Sequence, residues 1–185
     1  MELTGYKSFV YHRRPRLTAL AALVVIVFAQ PSLESLIWGS LVVILGEMGR
    51  TWASGYIEKD AALATAGPYA FTRNPLYVSN STMFLGFCIM GNHLIPALIG
   101  MLGFLLIYLV IINIEAKRMV HLFGESYEVW SQHVPLFIPR LMPWKDRTRK
   151  PYSFALMFEH MEHKHWFGMV IGLAIFYLIY YFQNL

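Results

Sequence analysis

The stretch LYVSNSTMFLGFCIM (Leu76–Met90), followed by Gly91-Asn92-His93 and then LIPALIGMLGFLLIYLVIINI (Leu94–Ile114), decides the fold. Neither apolar run carries a Lys, Arg, Asp or Glu, and the three residues between them favour a turn. The pair reads as a helical hairpin on the scale of a bilayer, where a span takes about 20 residues. Upstream, a second apolar region is broken by Gln30-Pro31-Ser32 and Glu34. Pro31 removes a backbone donor and favours a turn, so Leu17–Ala29 and Leu33–Met48 read as two helices in a tight hairpin. Each falls short of full bilayer thickness and would start in the headgroup layer or sit in a thinned bilayer. A fifth run, Trp166–Phe182, ends in Tyr177, Tyr180, Tyr181 and Phe182, an aromatic cluster suited to a membrane interface.

Composition agrees with the segments. Of 185 residues, 57% are hydrophobic and 14% charged, whereas a soluble domain carries about a quarter charged residues. The single Cys88 excludes an intrachain disulfide and a paired-cysteine metal site. With five spans, all 15 Lys and Arg fall on one side. By the positive-inside rule that side is cytoplasmic, with the N-terminus, and the C-terminus lies outside. The expectation is an all-α integral membrane bundle forming a single domain over residues 1–185, in a bacterial inner membrane or an ER-like one. Val27-Phe28-Ala29 is a poor signal-cleavage pattern and a second apolar helix follows at once, so the first helix is expected to be retained. Arg147–Pro151 is the most linker-like segment.

With the outer loops reduced to turns, the polar chemistry lies in two cytoplasmic segments, Arg50–Tyr77 and Glu115–His165. A site built from them would sit at the membrane–water boundary, open to a soluble cofactor and to a lipid-like substrate. The first holds Gly67-Pro68-Tyr69 and Arg73-Asn74-Pro75-Leu76-Tyr77. Asn74 is suited to cap a helix that starts at Pro75. Arg73 beside that helix start offers a fork for a carboxylate or phosphate; the same spacing fits a well-capped span with a snorkelling Arg. In the second segment, Met119, Leu122, Phe123, Tyr127 and Trp130 recur at three- and four-residue steps, an amphipathic helix interrupted by Gly124 along the inner interface. Glu115 stands at the end of a span, where a carboxylate is costly unless functional, solvated or paired with Arg118.

Taken together, these segments resemble the membrane methyltransferases that include isoprenylcysteine carboxyl methyltransferase and the phospholipid N-methyltransferases. The first family motif, Gly-x-Tyr then Arg-His-Pro-x-Tyr, is met by Gly67-Pro68-Tyr69 and Arg73-Asn74-Pro75-Leu76-Tyr77. The second, paired acids then Phe-Gly-Glu-x-Tyr and Val-Pro, is met by Glu115-Ala116, Phe123-Gly124-Glu125-Ser126-Tyr127 and Val134-Pro135. The likeness covers roughly Trp52 to Pro139. It implies S-adenosylmethionine as methyl donor, held where residues 61–77 meet residues 115–135. By that likeness Leu63, Ala64, Gly67, Tyr69, Asn74, Pro75, Leu76, Tyr77 and Glu115 bind the cofactor, and Arg73 and Glu115 carry the catalytic roles. The loop Ala61–Ala64 would contribute mainly backbone.

The implied reaction is methyl transfer to a lipophilic or membrane-embedded carboxylate or amine, including a prenylated or lipid substrate. Three departures bear on it. Asn74 stands where the family has His, Ala116 where it has a second acid, and Ile111 where the prenylcysteine enzymes hold a substrate-facing Arg. Asn keeps a donor and an acceptor but carries no proton at neutral pH. Two alternatives share the motifs: a sterol-reductase-type enzyme using NADPH, and a non-catalytic protein on the same scaffold.

Glu159–His165 contains His160 and His163 at metal-ligand spacing, but it reads better as an interfacial approach to the last span, and no metal is expected. His93, His121 and His133 read as interface residues, Cys88 as packing, and Glu47 as a partner for Arg50 or a pocket residue. The basic run Arg140–Lys150 suits anionic headgroups rather than nucleic acid. The Phe154–His165 helix and the last span are expected to close the lipid-facing side of the pocket and set substrate choice.

Overall fold

The computed structural model describes residues 5–145, 150–160 and 162–185. Most of the linker-like stretch, residues 147–149, lies outside the described residues, as does Met161. The described residues form seven α-helices and one 3-10 turn: α1 (Gly5–Val27), α2 (Leu33–Ser54), the turn Gly67–Ala70, α3 (Pro75–Gly91), α4 (Leu94–Phe123), α5 (Glu125–His133), α6 (Phe154–Glu159) and α7 (Glu162–Gln183). No strand occurs among them, so the all-α expectation holds.

Both hairpins form where the turn residues stand. After Pro31, Ser32 and Ser35 cap α2 reciprocally: each hydroxyl accepts the other residue's backbone N–H, at 3.1 and 2.9 Å. Asn92 ends α3 in the left-handed conformation, φ +49°. Gln30 N–H donates to Gly91 O at 2.8 Å, and Asn92 Nδ2 donates to Gln30 O at 3.0 Å. The two turns therefore lie together at one end of the bundle. The end of α7 joins them, with Gln183 Nε2 donating to Ala29 O at 3.0 Å.

Several boundaries differ from those expected. Helix α1 begins at Gly5 rather than Leu17 and runs through Pro15. Thr18 Oγ1 donates back to the carbonyls of Arg14 and Pro15 at 2.9 and 3.1 Å, one turn before it. Helix α4 does not stop at Ile114 but continues to Phe123, so the first half of the expected amphipathic helix is its last turns. Gly124, at φ +51°, makes the break before α5. Among the described residues, two helices, α4 and α7, are long and apolar enough to cross a membrane by length and composition.

Ala21, Val25, Leu36, Val43, Phe84, Cys88, Phe104 and Phe176 form a buried apolar core from α1, α2, α3, α4 and α7. Helices α2 and α3 approach most closely: a Cβ on Gly86 would lie 2.6 Å from Val43 N and 2.8 Å from Gly39 O. Only glycine permits that approach, below the separation real Cβ atoms keep. The outer faces are apolar too, with Leu41, Leu45, Leu98, Leu102, Phe167 and Val170 exposed. Helices apolar inside and outside suit hydrocarbon, not water. Phe84 stacks on Phe104 and Phe104 on Tyr108, both at 4.4 Å, and Tyr77 meets Tyr108 edge-on at 4.9 Å. This ladder runs from the core toward the end opposite the turns.

Candidate functional site

The first motif is held by the segment that follows the second. The turn starts at Gly67 (φ +59°), where a Cβ would lie 2.6 Å from the Tyr56 ring. From there the chain is strapped to residues 135–144. Arg73 N–H donates to Pro135 O, Trp144 N–H to Ala70 O and Arg140 N–H to Phe71 O, each at 2.9 Å. Thr72 Oγ1 donates to Phe137 O, also at 2.9 Å. Asn74 occupies the N-cap position with Pro75 at the first helical residue, yet its side chain caps nothing. Its Nδ2 donates to Leu136 O at 2.9 Å instead, which corrects the capping expectation.

Between the motifs lies a cavity of about 610 Å³, within the range of about 300–1,000 Å³ for ligand pockets. Of the expected residues, Leu63, Ala64, Tyr69, Arg73, Asn74, Pro75, Leu76, Tyr77 and Glu115 line it. Gly67 does not: its part is to let the chain turn under Tyr56. Tyr77 Oη donates to Glu115 Oε1 at 2.6 Å, a bond from one motif to the other. Arg14, from α1, stands 3.7 Å from the same oxygen. Glu115 is thus paired, but not with Arg118, which binds Asp60 at 2.6 Å.

Four lining side chains carry a buried polar atom with no hydrogen-bond partner: Arg50 Nε, Tyr69 Oη, Arg73 Nε and Trp130 Nε1. Buried donors without acceptors are rare in folded proteins, and these face a cavity that could supply the acceptors. Burial also pushes the Tyr69 phenol upward, so it stays a neutral donor at neutral pH. Arg73 Nη1 reaches Tyr127 Oη at 3.3 Å, and its guanidinium lies over that ring at 5.9 Å.

Sequence reading missed part of the wall. Tyr11, Arg14 and Thr18 enter from α1, Arg50 from α2, Asn80 from α3, Tyr108 from α4 and His165 from α7. Helical spacing could have found Asn80, three residues after Tyr77, and Tyr108, seven before Glu115. Arg50 pairs with Glu162 (Nε to Oε2, 3.1 Å) and donates to Asn80 Oδ1 at 2.8 Å. Glu47 makes no hydrogen bond or close ion pair with it, although it feels the Arg50 charge, and both Glu47 carboxylate oxygens are buried without a hydrogen bond. His160 Nε2 meets the Ile57 carbonyl at 2.8 Å. Among the described residues, no group of three or more His, Cys, Asp or Glu could hold a metal ion.

The model of the phospholipid methyltransferase family matches residues 21–126, which take in the first motif and the second as far as Ser126. This chain belongs to that family. Among curated proteins, it is 31% identical over 139 residues to the cobalt-zinc-cadmium resistance protein CzcN of Cupriavidus metallidurans, covering 74% of this chain and 62% of that protein. It is 31% identical over 136 residues to the nickel-cobalt-cadmium resistance protein NccN of Alcaligenes xylosoxydans xylosoxydans, covering 72% and 63%. The aligned part thus spans somewhat less than two thirds of these relatives' length. No solved structure matches the chain. The family match stops before α6 and α7, so His165 reaches the wall, and Glu162 reaches Arg50, from outside it.

Proposed function

We propose that this family member transfers a methyl group from S-adenosylmethionine to a lipophilic carboxylate or amine at the membrane interface. The observation that carries the reading is the cavity itself, walled by both motifs and crossed at its seam by the Tyr77–Glu115 bond. Its residues fit the cofactor chemically. Glu115 offers a carboxylate, and Tyr69, Tyr77 and Trp130 aromatic faces, to a sulfonium cation. The unpartnered donors of Tyr69, Arg73 and Trp130 suit a ligand rich in carboxylate, ribose and purine acceptors. When bound, the cofactor supplies a methyl already activated on sulfur, which departs as a neutral thioether after in-line displacement. The chain has then only to position the partners and exclude water. Asn74 is bound to Leu136 O and serves the wall rather than proton transfer.

The chain is proposed to act as a single five-span domain, α1, α2 and α3 crossing with α4 and α7, with the cavity on the cytoplasmic side. The clustering of both turns and Gln183 at the end opposite the site supports this topology. A cysteine at Asn92 should react with an impermeant maleimide from outside the cell. Labelling only after permeabilisation would refute that sidedness.

The relatives' names give a physiological context, which we extend to this chain as tolerance of cobalt, cadmium and related ions. We assign the contribution to methylation of a membrane acceptor rather than to metal ligation. Calorimetric titration of detergent-purified protein with S-adenosylmethionine and with NADPH tests the cofactor, with Glu115→Ala and Tyr77→Ala as controls. Binding of the sulfonium that both substitutions weaken is expected, followed by labelled-methyl transfer into lipid extracts. NADPH binding alone would point to a reductase, and binding of neither to folded protein would point to a non-catalytic scaffold.

A further inference from the structure

Arg50 is a buried cation at the edge of the cavity. Its side chain is 11% exposed, and its partner Glu162, 2% exposed, is absent from the cavity wall. Nη1 donates to Asn80 Oδ1 at 2.8 Å and Nη2 to Glu162 Oε1 at 3.3 Å. Nε lies 3.1 Å from Glu162 Oε2 without the alignment of a hydrogen bond. A guanidinium has five N–H donors in a rigid fork, so this one is fixed by two helices with donors to spare. Arg50 lines the cavity, whereas the two carboxylates that act on it, Glu162 and Glu47, stand outside the wall.

Glu115, tied to Tyr77 and Arg14, lines the same cavity, whose wall also carries Glu58, Lys59, Asp60 and Arg73. The cavity therefore holds a carboxylate suited to a sulfonium and, separately, a clamped guanidinium suited to an oxyanion. His165 lines the same cavity three residues after Glu162 on α7. On the same two helices as Arg50 and His165, Leu45 and Met48 of α2 and Phe167 and Val170 of α7 are exposed and apolar, an outer surface fit for an alkyl chain.

We propose that Arg50, clamped by Glu162 and Asn80, forms an oxyanion subsite that receives the carboxylate or phosphate of a membrane-embedded acceptor. Its use in catalysis rests on the methyl-transfer reading; the anion site itself rests on the geometry of Arg50. Glu162 is a positioning residue supplied by α7, so the helix outside the family match orients the group that selects the acceptor.

The test titrates detergent-solubilised full-length protein with dodecyl phosphate, dodecanoate and dodecyltrimethylammonium, and separately with S-adenosylmethionine. The anions should bind at least tenfold more tightly than the ammonium probe. Preference for dodecyl phosphate would indicate a phospholipid headgroup, and preference for dodecanoate an acidic lipid. The double variant Arg50→Gln/Glu162→Gln removes both buried charges and leaves neither unpaired. It should lose that preference while binding S-adenosylmethionine within twofold of the parent chain. Arg50→Lys, which keeps the charge but not the fork, should lose most of it as well. Equal binding of the three probes, tighter binding of the ammonium probe, or an unchanged preference in a folded variant would overturn the proposal. So would a variant that loses S-adenosylmethionine as fully as the anions, since Arg50 would then belong to the cofactor wall. Anion preference in a parent chain that binds no S-adenosylmethionine would sink the methyl-transfer reading and leave the subsite standing.

Discussion

Replacing Tyr77 by Phe removes one oxygen and leaves the ring, so its edge contact with Tyr108 at 4.9 Å is retained. What is lost is the 2.6 Å bond to Glu115. Hydrogen bonds to charged groups contribute about 1.5–3 kcal/mol. The Glu115 side chain is 33% exposed, so water and Arg14 replace part of the bond, and the lower end, about 1.5 kcal/mol, is the appropriate figure. If Glu115 must be oriented to meet the sulfonium, that amount lowers S-adenosylmethionine affinity roughly tenfold. Calorimetry on detergent-purified protein measures it. Tyr108→Phe is the control, because its hydroxyl lies 3.4 Å from Asn80 Nδ2, and its affinity should stay within twofold of the parent. Affinity of Tyr77→Phe equal to the parent, with only its melting temperature lowered, would show a structural bond and refute a cofactor site at the motif seam.

Asn74→Asp should set a carboxylate against the Leu136 carbonyl and destabilise the strap by about 1–3 kcal/mol, read as a lower melting temperature, whereas Asn74→His at the family's own residue should cost less. Gly86→Leu should abolish the α2–α3 contact, since even a Cβ there stands 2.6 Å from Val43 N; little or no monodisperse protein after extraction is the expected result, and normal yield would contradict it. Glu162→Ala leaves Arg50 buried and unpaired and should cost about 3–5 kcal/mol, much of it recovered in Arg50→Met/Glu162→Leu; denaturant unfolding of the three proteins checks this. Deleting residues 153–185 removes Glu162 from Arg50 and Trp166 from Thr51, whose hydroxyl it meets at 3.0 Å. The truncated chain should lose thermal stability as well as substrate selection, and an unchanged melting temperature would count against the packing described here.

Elements announced by turn chemistry were legible in the sequence. Pro31 and Gly91-Asn92 break apolar runs where nothing else would, and both hairpins form there. Helix ends judged by hydropathy were not. Glu115, Lys117 and Arg118 look like the end of a span because hydrocarbon excludes charge, yet α4 continues through them to Phe123. A helix ends where its backbone bonds are interrupted, here at Gly124, not where its side chains turn polar. The same confusion set the start of α1 at Leu17, past residues that are helical from Gly5.

The site divides along a similar line. Residues in the two motifs meet around one cavity because a hairpin of antiparallel helices brings the first residues of α3 beside the last turns of α4. That juxtaposition follows from the order of elements and so can be read in advance. The Arg50–Glu162 pair does not follow from it: 112 residues separate the two, and each has a nearer charged neighbour, Glu47 in one case and Lys164 in the other. Helical spacing favours Glu47, three residues before Arg50, whereas Lys164, two after Glu162, does not share its face. The buried pair forms across the fold instead, where Arg50 meets Glu162 and also finds an acceptor in Asn80. A charged pair so far apart in sequence is thus a record of where α7 docks. That docking brings His165 into the wall and makes the last helix part of the site rather than an added anchor.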